Sequence, residues 1–159
     1  MQQKGNDFKT LQVLHYAMLI GMTMFSAIAV FIIVSRGPLR PHDASLERTL
    51  QVVALVVAVG AVAAGFMLFN NKLSGIQAIG DVKERMAAYR GAAIVRWALI
   101  EGPVLLSAIC FMMTGNYAFL ALAIALILVF AAVRPSKAMV VYQLQLTGTE
   151  IAELEGSSE

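Results

Sequence analysis

Three long apolar tracts with almost no charged side chains decide what this chain can fold into. They cover residues 11–34, 49–71 and 97–133. A helix needs about 20 residues to cross the hydrocarbon core of a bilayer, so each of the first two tracts predicts one crossing. The third tract is too long for one crossing, and Thr114-Gly115-Asn116 interrupts it with residues typical of turns. Four transmembrane helices are therefore predicted, at about 12–34, 50–70, 91–113 and 117–133.

The composition indicates the same class of protein. Hydrophobic residues make up 59% of the chain, against about 45–50% in soluble proteins. We predict an all-α, polytopic membrane protein in which residues 1–134 form a four-helix membrane domain and residues 135–159 form a cytoplasmic tail with short helices. The chain has no metal-ligand spacing of Cys and His, no phosphate-binding glycine loop and no nucleophile motif. We therefore predict no enzymatic activity, no cofactor and no metal.

Most of the Lys and Arg residues fall on one side of the predicted spans. Nine lie at the chain ends and between the second and third spans: Lys4, Lys9, Lys72, Lys83, Arg85, Arg90, Arg96, Arg134 and Lys137. Three lie on the other side: Arg36, Arg40 and Arg48. Because short cytoplasmic loops carry the excess of positive charge, both termini are predicted to be cytoplasmic. The same rule accounts for the net charge of +2, so we predict no nucleic-acid partner.

Small residues recur on one face of the second predicted span. They are Ala54, Ala58, Ala61 and Gly65, at steps of four, three and four. Such a seam lets two helix backbones approach closely in lipid, where the hydrophobic effect does not drive helices together. Two alternatives follow for the partner of this seam: another helix of the same bundle, or a second copy of the chain in a homo-oligomer.

Residues 71–90 are predicted to form the largest cytoplasmic loop, which Ser74-Gly75 and Gly80 break. Asp81, with an acid three residues later, is typical of the start of a helix, and this helix is predicted to continue into the third span. Its first turns carry an apolar stripe: Val82, Met86 and Tyr89. The stripe either lies on lipid headgroups or docks a partner.

The tail shows both strand-like and helix-like periodicity over residues 138–146. Because the rest of the chain is helical, a helix is predicted there. Thr147 with Glu150 predicts the start of a second short helix, since a hydroxyl and an acid at this spacing accept hydrogen bonds from each other's backbone N–H groups.

Glu101 is the only acid within the predicted spans, and Gly102-Pro103 follows it. A charged side chain at membrane depth costs about 2.5–3.5 kcal/mol even on the lenient insertion scales, so this carboxylate needs a partner, a proton or a function. Three alternatives follow. Glu101 is a structural acid that bonds to His15 or to backbone exposed by Pro103, or it binds a proton or cation in a transport pathway, or it contacts another subunit.

His15 and Arg96 are the other polar residues near Glu101 in the predicted topology. His15 reaches a similar depth from the first span and is the candidate partner of Glu101. Arg96 lies five residues before Glu101, about 140° around the helix, so the two do not form an (i, i+4) pair. Arg96 is instead expected to extend back to the cytoplasmic interface, and Trp97 is expected at that interface too.

Ala98-Leu99-Ile100-Glu101-Gly102 resembles the segment around the ion-carrying carboxylate of ATP-synthase c-type proteolipids. A basic cytoplasmic loop precedes the acidic helix in both, and the four predicted spans are similar to the duplicated proteolipids of vacuolar-type ATPases. No dense glycine array and no internal repeat accompany the match. The resemblance implies ion or proton handling at Glu101.

A wider pattern covers most of residues 82–155. It includes Ile94-Val95-Arg96-Trp97-Ala98-Leu99-Ile100-Glu101-Gly102-Pro103, Thr114-Gly115-Asn116 and Arg134-Pro135. This pattern resembles an uncharacterised family of small four-span bacterial inner-membrane proteins, which implies a multi-pass protein of that membrane and no particular activity. The predicted function is a structural or accessory subunit in the lipid bilayer, which self-associates or joins a larger membrane complex. The alternative is an ion- or proton-handling proteolipid centred on Glu101.

Overall fold

The computed structural model describes residues 7–39 and 43–154, and helices are the only regular structure there. The helices are α1 (Asp7–Arg36), α2 (Ala44–Gln77), α3 (Val82–Thr114), α4 (Tyr117–Ala132), α5 (Lys137–Leu144) and α6 (Gly148–Leu154). The predicted all-α class is confirmed.

The length and composition of the helices support a multi-pass membrane protein. α1, α2 and α3 are each long and apolar enough to cross a bilayer. α4 has 16 residues, about 24 Å at 1.5 Å per residue, and the chain bends by 68° between α4 and α5. By length and composition, three of the described helices can therefore cross a membrane, or four if α4 and α5 form one bent span.

α3 lies at the centre of the bundle, where it packs against α1, α2 and α4, whereas α1 and α2 hardly touch each other. Its inward face is apolar because large side chains recur on it every three or four residues. Trp97, Ile100, Val104 and Phe111 on this face are fully buried. The core therefore forms around one helix. A polar side chain on α3 lies either in this core or on the outer surface of the bundle.

The connection predicted over residues 71–90 is shorter in the structure, because α2 continues past residue 70. α2 extends to Gln77, and four residues join it to α3. Ser74-Gly75 does not end α2, since the adjacent Ile76 is buried in the core. This packing outweighs the roughly 1 kcal/mol by which a glycine weakens a helix interior.

α3 begins where the capping pattern predicts. The Asp81 carboxylate accepts a hydrogen bond from the backbone N–H of Glu84 at 2.9 Å. Such a cap satisfies one of the N–H groups that have no partner in the first turn of a helix. From there α3 continues to Thr114 as one helix, as the sequence predicted.

At the opposite end of the bundle, the turn between α3 and α4 is held against the loop between α1 and α2. Gly115 ends α3 with a φ of 71°, a left-handed conformation that glycine adopts without strain. A methyl group on Gly115 would also lie 2.8 Å from Cγ of Pro38. Asn116 caps α4 and donates a hydrogen bond to the Glu47 carboxylate. The predicted turn at residues 114–116 is therefore confirmed, and it holds the adjacent loop in place.

The tail is helical as predicted and folds back on the bundle. α5 covers most of residues 138–146. Glu150 accepts hydrogen bonds from the backbone N–H of Thr147 at 2.8 Å and from its hydroxyl at 2.9 Å. These bonds confirm the predicted start of the second short helix, α6.

The apolar stripe at the start of α3 lies under this tail. Its residues Val82, Met86 and Tyr89 are buried, in one core with Leu144 of α5 and Leu154 of α6. Both alternatives predicted for the stripe, lipid headgroups and a partner, are therefore wrong. The apolar pattern correctly indicates a surface that is buried, and α5 and α6 are the helices that bury it.

Arg85 lies at the centre of the polar contacts between α3 and the tail. Its guanidinium donates a hydrogen bond to the Leu144 carbonyl oxygen at 3.5 Å and pairs with the Glu150 carboxylate at 3.2 Å. One turn further along α3, the Tyr89 hydroxyl donates to the side-chain oxygen of Gln143 at 2.7 Å. Polar contacts therefore fix the tail in the same position as the buried stripe.

We expect Glu150→Gln to loosen α6, and we expect acid to do the same. Hydrogen bonds from Thr147 and the nearby charge of Arg85 hold the pKa of Glu150 below its usual range. A pKa lowered in the folded state stabilises the docked tail above the usual glutamate value, about 4.3. This contribution is lost as the pH falls through the lower, folded-state pKa. Amide hydrogen exchange over α6, which should become severalfold faster, measures both effects.

Glu153→Gln is the matched control for this experiment. The Glu153 carboxylate pairs with Lys83 at 3.5 Å between two exposed side chains, and exposed pairs contribute little to stability. Equal acceleration of exchange in the two variants would show that the pair between Arg85 and Glu150 does not hold the tail.

Candidate functional site: polar side chains within the spans

Glu101 lies at the edge of a face of α3 that no other described part of the chain covers. We call this surface the open face, and its residues, all exposed, are Gly91, Ile94, Ala98, Gly102 and Ile109. The Glu101 side chain is partly exposed, and it has no hydrogen bond or ion pair with a described residue. It lies 13 residues before Thr114, or about 20 Å of helix rise. The carboxylate therefore lies well inside a helix that is long and apolar enough to cross a membrane.

His15 does not pair with Glu101. Its imidazole is fully buried, stacks on the Phe130 ring with a centroid distance of 4.5 Å, and lies 4.9 Å from the Trp97 ring. Neither imidazole nitrogen has a hydrogen-bond partner among the described residues. α1 and α3 do pack side by side, but aromatic rings of α3 and α4 surround His15 while Glu101 lies at the exposed edge. The predicted hydrogen bond is absent for this reason.

The Arg96 side chain packs against α2 and does not extend away from the bundle, although the sequence predicted that it would. Its side chain is only 9% exposed, and its guanidinium carbon lies 4.0 Å from the centre of the Phe69 ring and 5.7 Å from that of Phe66. The attraction between a cation and an aromatic face holds Arg96 against α2. Trp97, which was expected at the same interface, is fully buried, and its indole N–H has no partner among the described residues.

Pro103 lies inside α3 without ending it, and its side chain is buried. The carbonyl oxygen of Pro103 accepts a hydrogen bond from the Ser107 hydroxyl at 2.8 Å. Because Pro103 is buried and Glu101 is partly exposed, the two lie on different sides of α3. The predicted set of Glu101, His15 and Pro103 therefore does not converge on one site.

The small-residue seam of α2 lies inside the bundle, against α3. Ala54, Ala58 and Gly65 are buried, and Ala61 is partly buried. The two helices lie close together at Gly65, where an added methyl group would be 3.4 Å from the backbone oxygen of Arg96. Of the two predicted alternatives, the structure has the contact within the bundle. That contact is what brings the aromatic rings of α2 up to the guanidinium.

Sequence reasoning missed the aromatic surroundings of His15 and Arg96. One signal in the sequence could have indicated the surroundings of Arg96. Gly65 leaves space on α2, and Phe66 and Phe69 place aromatic rings beside that space, where a long cationic side chain fits. The signal does not say which cation enters the space. Which cation occupies the space depends on how α2 packs on α3, and this cannot be predicted from neighbouring residues in the sequence.

The described residues contain no group of three or more His, Cys, Asp or Glu side chains that could hold a metal ion. Comparisons with protein-family models, curated proteins and solved structures found no match. The resemblances to the proteolipids and to the bacterial inner-membrane family therefore stay predictions. The features of the described chain that bear on function are the Glu101 carboxylate, the Arg96 guanidinium and the open face.

Proposed function

We propose that this protein is a non-catalytic structural subunit of the bacterial inner membrane and that it self-associates through the open face of α3. The observation that carries this proposal is the Glu101 carboxylate, which lies partly exposed beside Ala98 and Gly102 without a partner in the described chain. A second copy of the chain, packed on the same face, removes the carboxylate from lipid and gives it a hydrogen-bond partner.

The small residues of the open face suit a helix partner. Methyl groups added at Gly91 or Gly102 would meet nothing within 4 Å, so another helix has room to approach the α3 backbone. Close backbone contact and hydrogen bonds between helices drive association in lipid. A carboxyl group that moves from hydrocarbon into such an interface also avoids part of a cost of about 2.5–3.5 kcal/mol.

Ion or proton handling at Glu101 is the alternative. The same partial exposure favours it, because intramembrane acids occur in proton relays and ion pathways where they can exchange a proton. The two functions make different demands on Glu101. An ion site loses and regains its proton, whereas a helix contact works with a carboxyl group that stays protonated.

We expect Gly102→Leu to weaken self-association about tenfold or more while the chain stays folded. The leucine side chain blocks backbone approach between copies and meets only lipid in the monomer, and tenfold corresponds to about 1.4 kcal/mol. Light scattering gives the mass of the detergent-solubilised particle, and subunit counting by photobleaching in liposomes checks it in lipid. An unchanged mass would contradict self-association through α3.

Gly21→Leu is the matched control for the association experiment. Gly21 is exposed on α1, and an added methyl group there meets nothing within 4 Å. The change is thus the same in size and exposure but lies on another helix. We expect this variant to keep the mass of the wild-type particle.

Glu101→Gln distinguishes the two functions, because glutamine keeps the shape and the hydrogen-bonding groups but does not titrate. We expect the variant to assemble like the wild type. If the alternative holds, it assembles but loses ion flux in liposomes, and a carbodiimide labels Glu101 selectively in the wild type. Intact assembly with abolished flux would therefore overturn the structural function and support the proteolipid.

A further inference from the structure

The positive charge of Arg96 has no counter-ion among the described residues. Arg96 as a whole residue is nine-tenths buried, its Nε–H is buried without a hydrogen-bond partner, and no described carboxylate pairs with it. The cation–π contacts with Phe69 and Phe66 contribute up to about 2 kcal/mol when desolvated. Removing a charge from water costs several kcal/mol in a real protein. The aromatic rings alone therefore do not compensate for the burial of this charge.

Arg96 lies at the depth where lipid phosphates begin. It is 18 residues before Thr114 on one continuous helix, or about 27 Å of helix rise. The hydrocarbon core is about 30 Å thick, so Arg96 lies close to the boundary on the side where α2 and α3 connect. That side is predicted to be cytoplasmic, where basic pockets between transmembrane helices bind anionic headgroups.

The geometry around the guanidinium leaves its donors free. The guanidinium carbon lies 4.0 Å from the centre of the Phe69 ring. The terminal N–H groups of Arg96 have no hydrogen bond to a described residue, so they can donate to a ligand. A guanidinium edge matches two oxygens of a phosphate group in a bidentate contact. Lys72, exposed on α2 and three residues after Phe69, adds a second positive charge one turn nearer the boundary.

We propose that Arg96, which lies between α2 and α3 beside Phe69, binds a phosphate group at the membrane boundary through its terminal N–H groups. A lipid headgroup and free inorganic phosphate share the oxyanion chemistry that this edge recognises. Bound phosphate supplies the missing counter-charge beside Gly65, where α2 and α3 pack closely. This site is independent of the open face, which lies on another side of α3.

The test measures the thermal stability of the purified protein in a neutral detergent as one additive is titrated at a time. The additives are phosphatidylglycerol, diacylglycerol with the same acyl chains, and inorganic phosphate. We expect phosphatidylglycerol to raise the midpoint of unfolding and diacylglycerol to leave it unchanged. Stabilisation by phosphatidylglycerol alone identifies a lipid headgroup as the source of the phosphate. Stabilisation by inorganic phosphate as well identifies a site that also takes the free anion.

Arg96→Gln should weaken the apparent affinity for the stabilising additive about ten- to hundredfold, since a hydrogen bond to a charged group contributes about 1.5–3 kcal/mol. Arg96→Lys keeps the positive charge but not the planar guanidinium, so it should bind the additive with intermediate affinity. This second variant keeps the test valid if Arg96→Gln does not fold. Arg48→Gln, an exposed arginine on the other end of α2, is the control. Equal stabilisation by diacylglycerol, or undiminished affinity in both Arg96 variants, would overturn the proposal.

Discussion

Gly65→Leu is expected to loosen α2 from α3 and to be less stable by about 1–3 kcal/mol or more than Gly60→Leu on the same helix, which is expected to fold at least as stably as the wild type. An added methyl group at Gly65 already lies 3.4 Å from the backbone oxygen of Arg96 and from Cβ of Leu99. The remaining atoms of a leucine have no space, and overpacking of a filled interface costs about 1–3 kcal/mol, occasionally more. The largest helix contact of the bundle lies on this face.

Gly60 is the matched control for Gly65, because both are glycines within α2 and they differ mainly in their surroundings. It is exposed on α2, and an added methyl group there meets nothing within 4 Å. The gain in helix propensity from glycine to leucine, about 1 kcal/mol, is common to both variants and cancels. Thermal unfolding followed by circular dichroism in detergent measures the difference. A folded Gly65→Leu with a smaller particle would place the seam between copies of the chain instead.

Trp97→Ala is expected to destabilise the protein by about 3–5 kcal/mol, the usual effect of deleting a buried tryptophan. Trp97 is fully buried and fills the space beside the His15 and Phe130 rings, where α1 and α4 meet on α3. Alanine leaves a cavity at this three-helix junction, and its lining loses dispersion contacts. Denaturation in detergent, followed by circular dichroism, measures the loss.

Trp97→Phe separates the volume of the side chain from its N–H group. The indole N–H has no partner among the described residues, so its removal should cost nothing in hydrogen bonding, and the phenyl ring still fills most of the space. We expect less than half of the alanine effect. A phenylalanine variant as unstable as the alanine variant would mean that the indole N–H has a partner, for example a buried water.

The features that the sequence predicted well depend on neighbours along the chain. The Asp81 and Thr147 caps, the turn at Gly115 and the long apolar helices all arise from residues a few positions apart. Helix length was predicted less well. Ser74-Gly75 would end an isolated helix, but packing of the neighbouring Ile76 against the rest of the protein keeps α2 intact.

The candidate site was predicted only in part, because its geometry depends on partners from other helices. Position along a helix follows from residue number, and both Glu101 and Arg96 lie on a helix that is long and apolar enough to cross a bilayer. The neighbouring helix that a side chain faces does not follow from residue number. His15 was expected beside Glu101 and instead stacks on Phe130 of α4, and Arg96 was expected near water and instead lies over Phe69 of α2.

During synthesis, α1 and α2 enter the membrane before their main packing partner exists. Because these two helices hardly touch each other, they do not form a stable hairpin and remain separate in lipid until residues 82–114 are inserted. The seam of α2 and the imidazole of His15 face lipid during that interval. We therefore expect the bundle to assemble only after the third span is inserted, since a nascent chain that stops before it has two helices without their main packing partner.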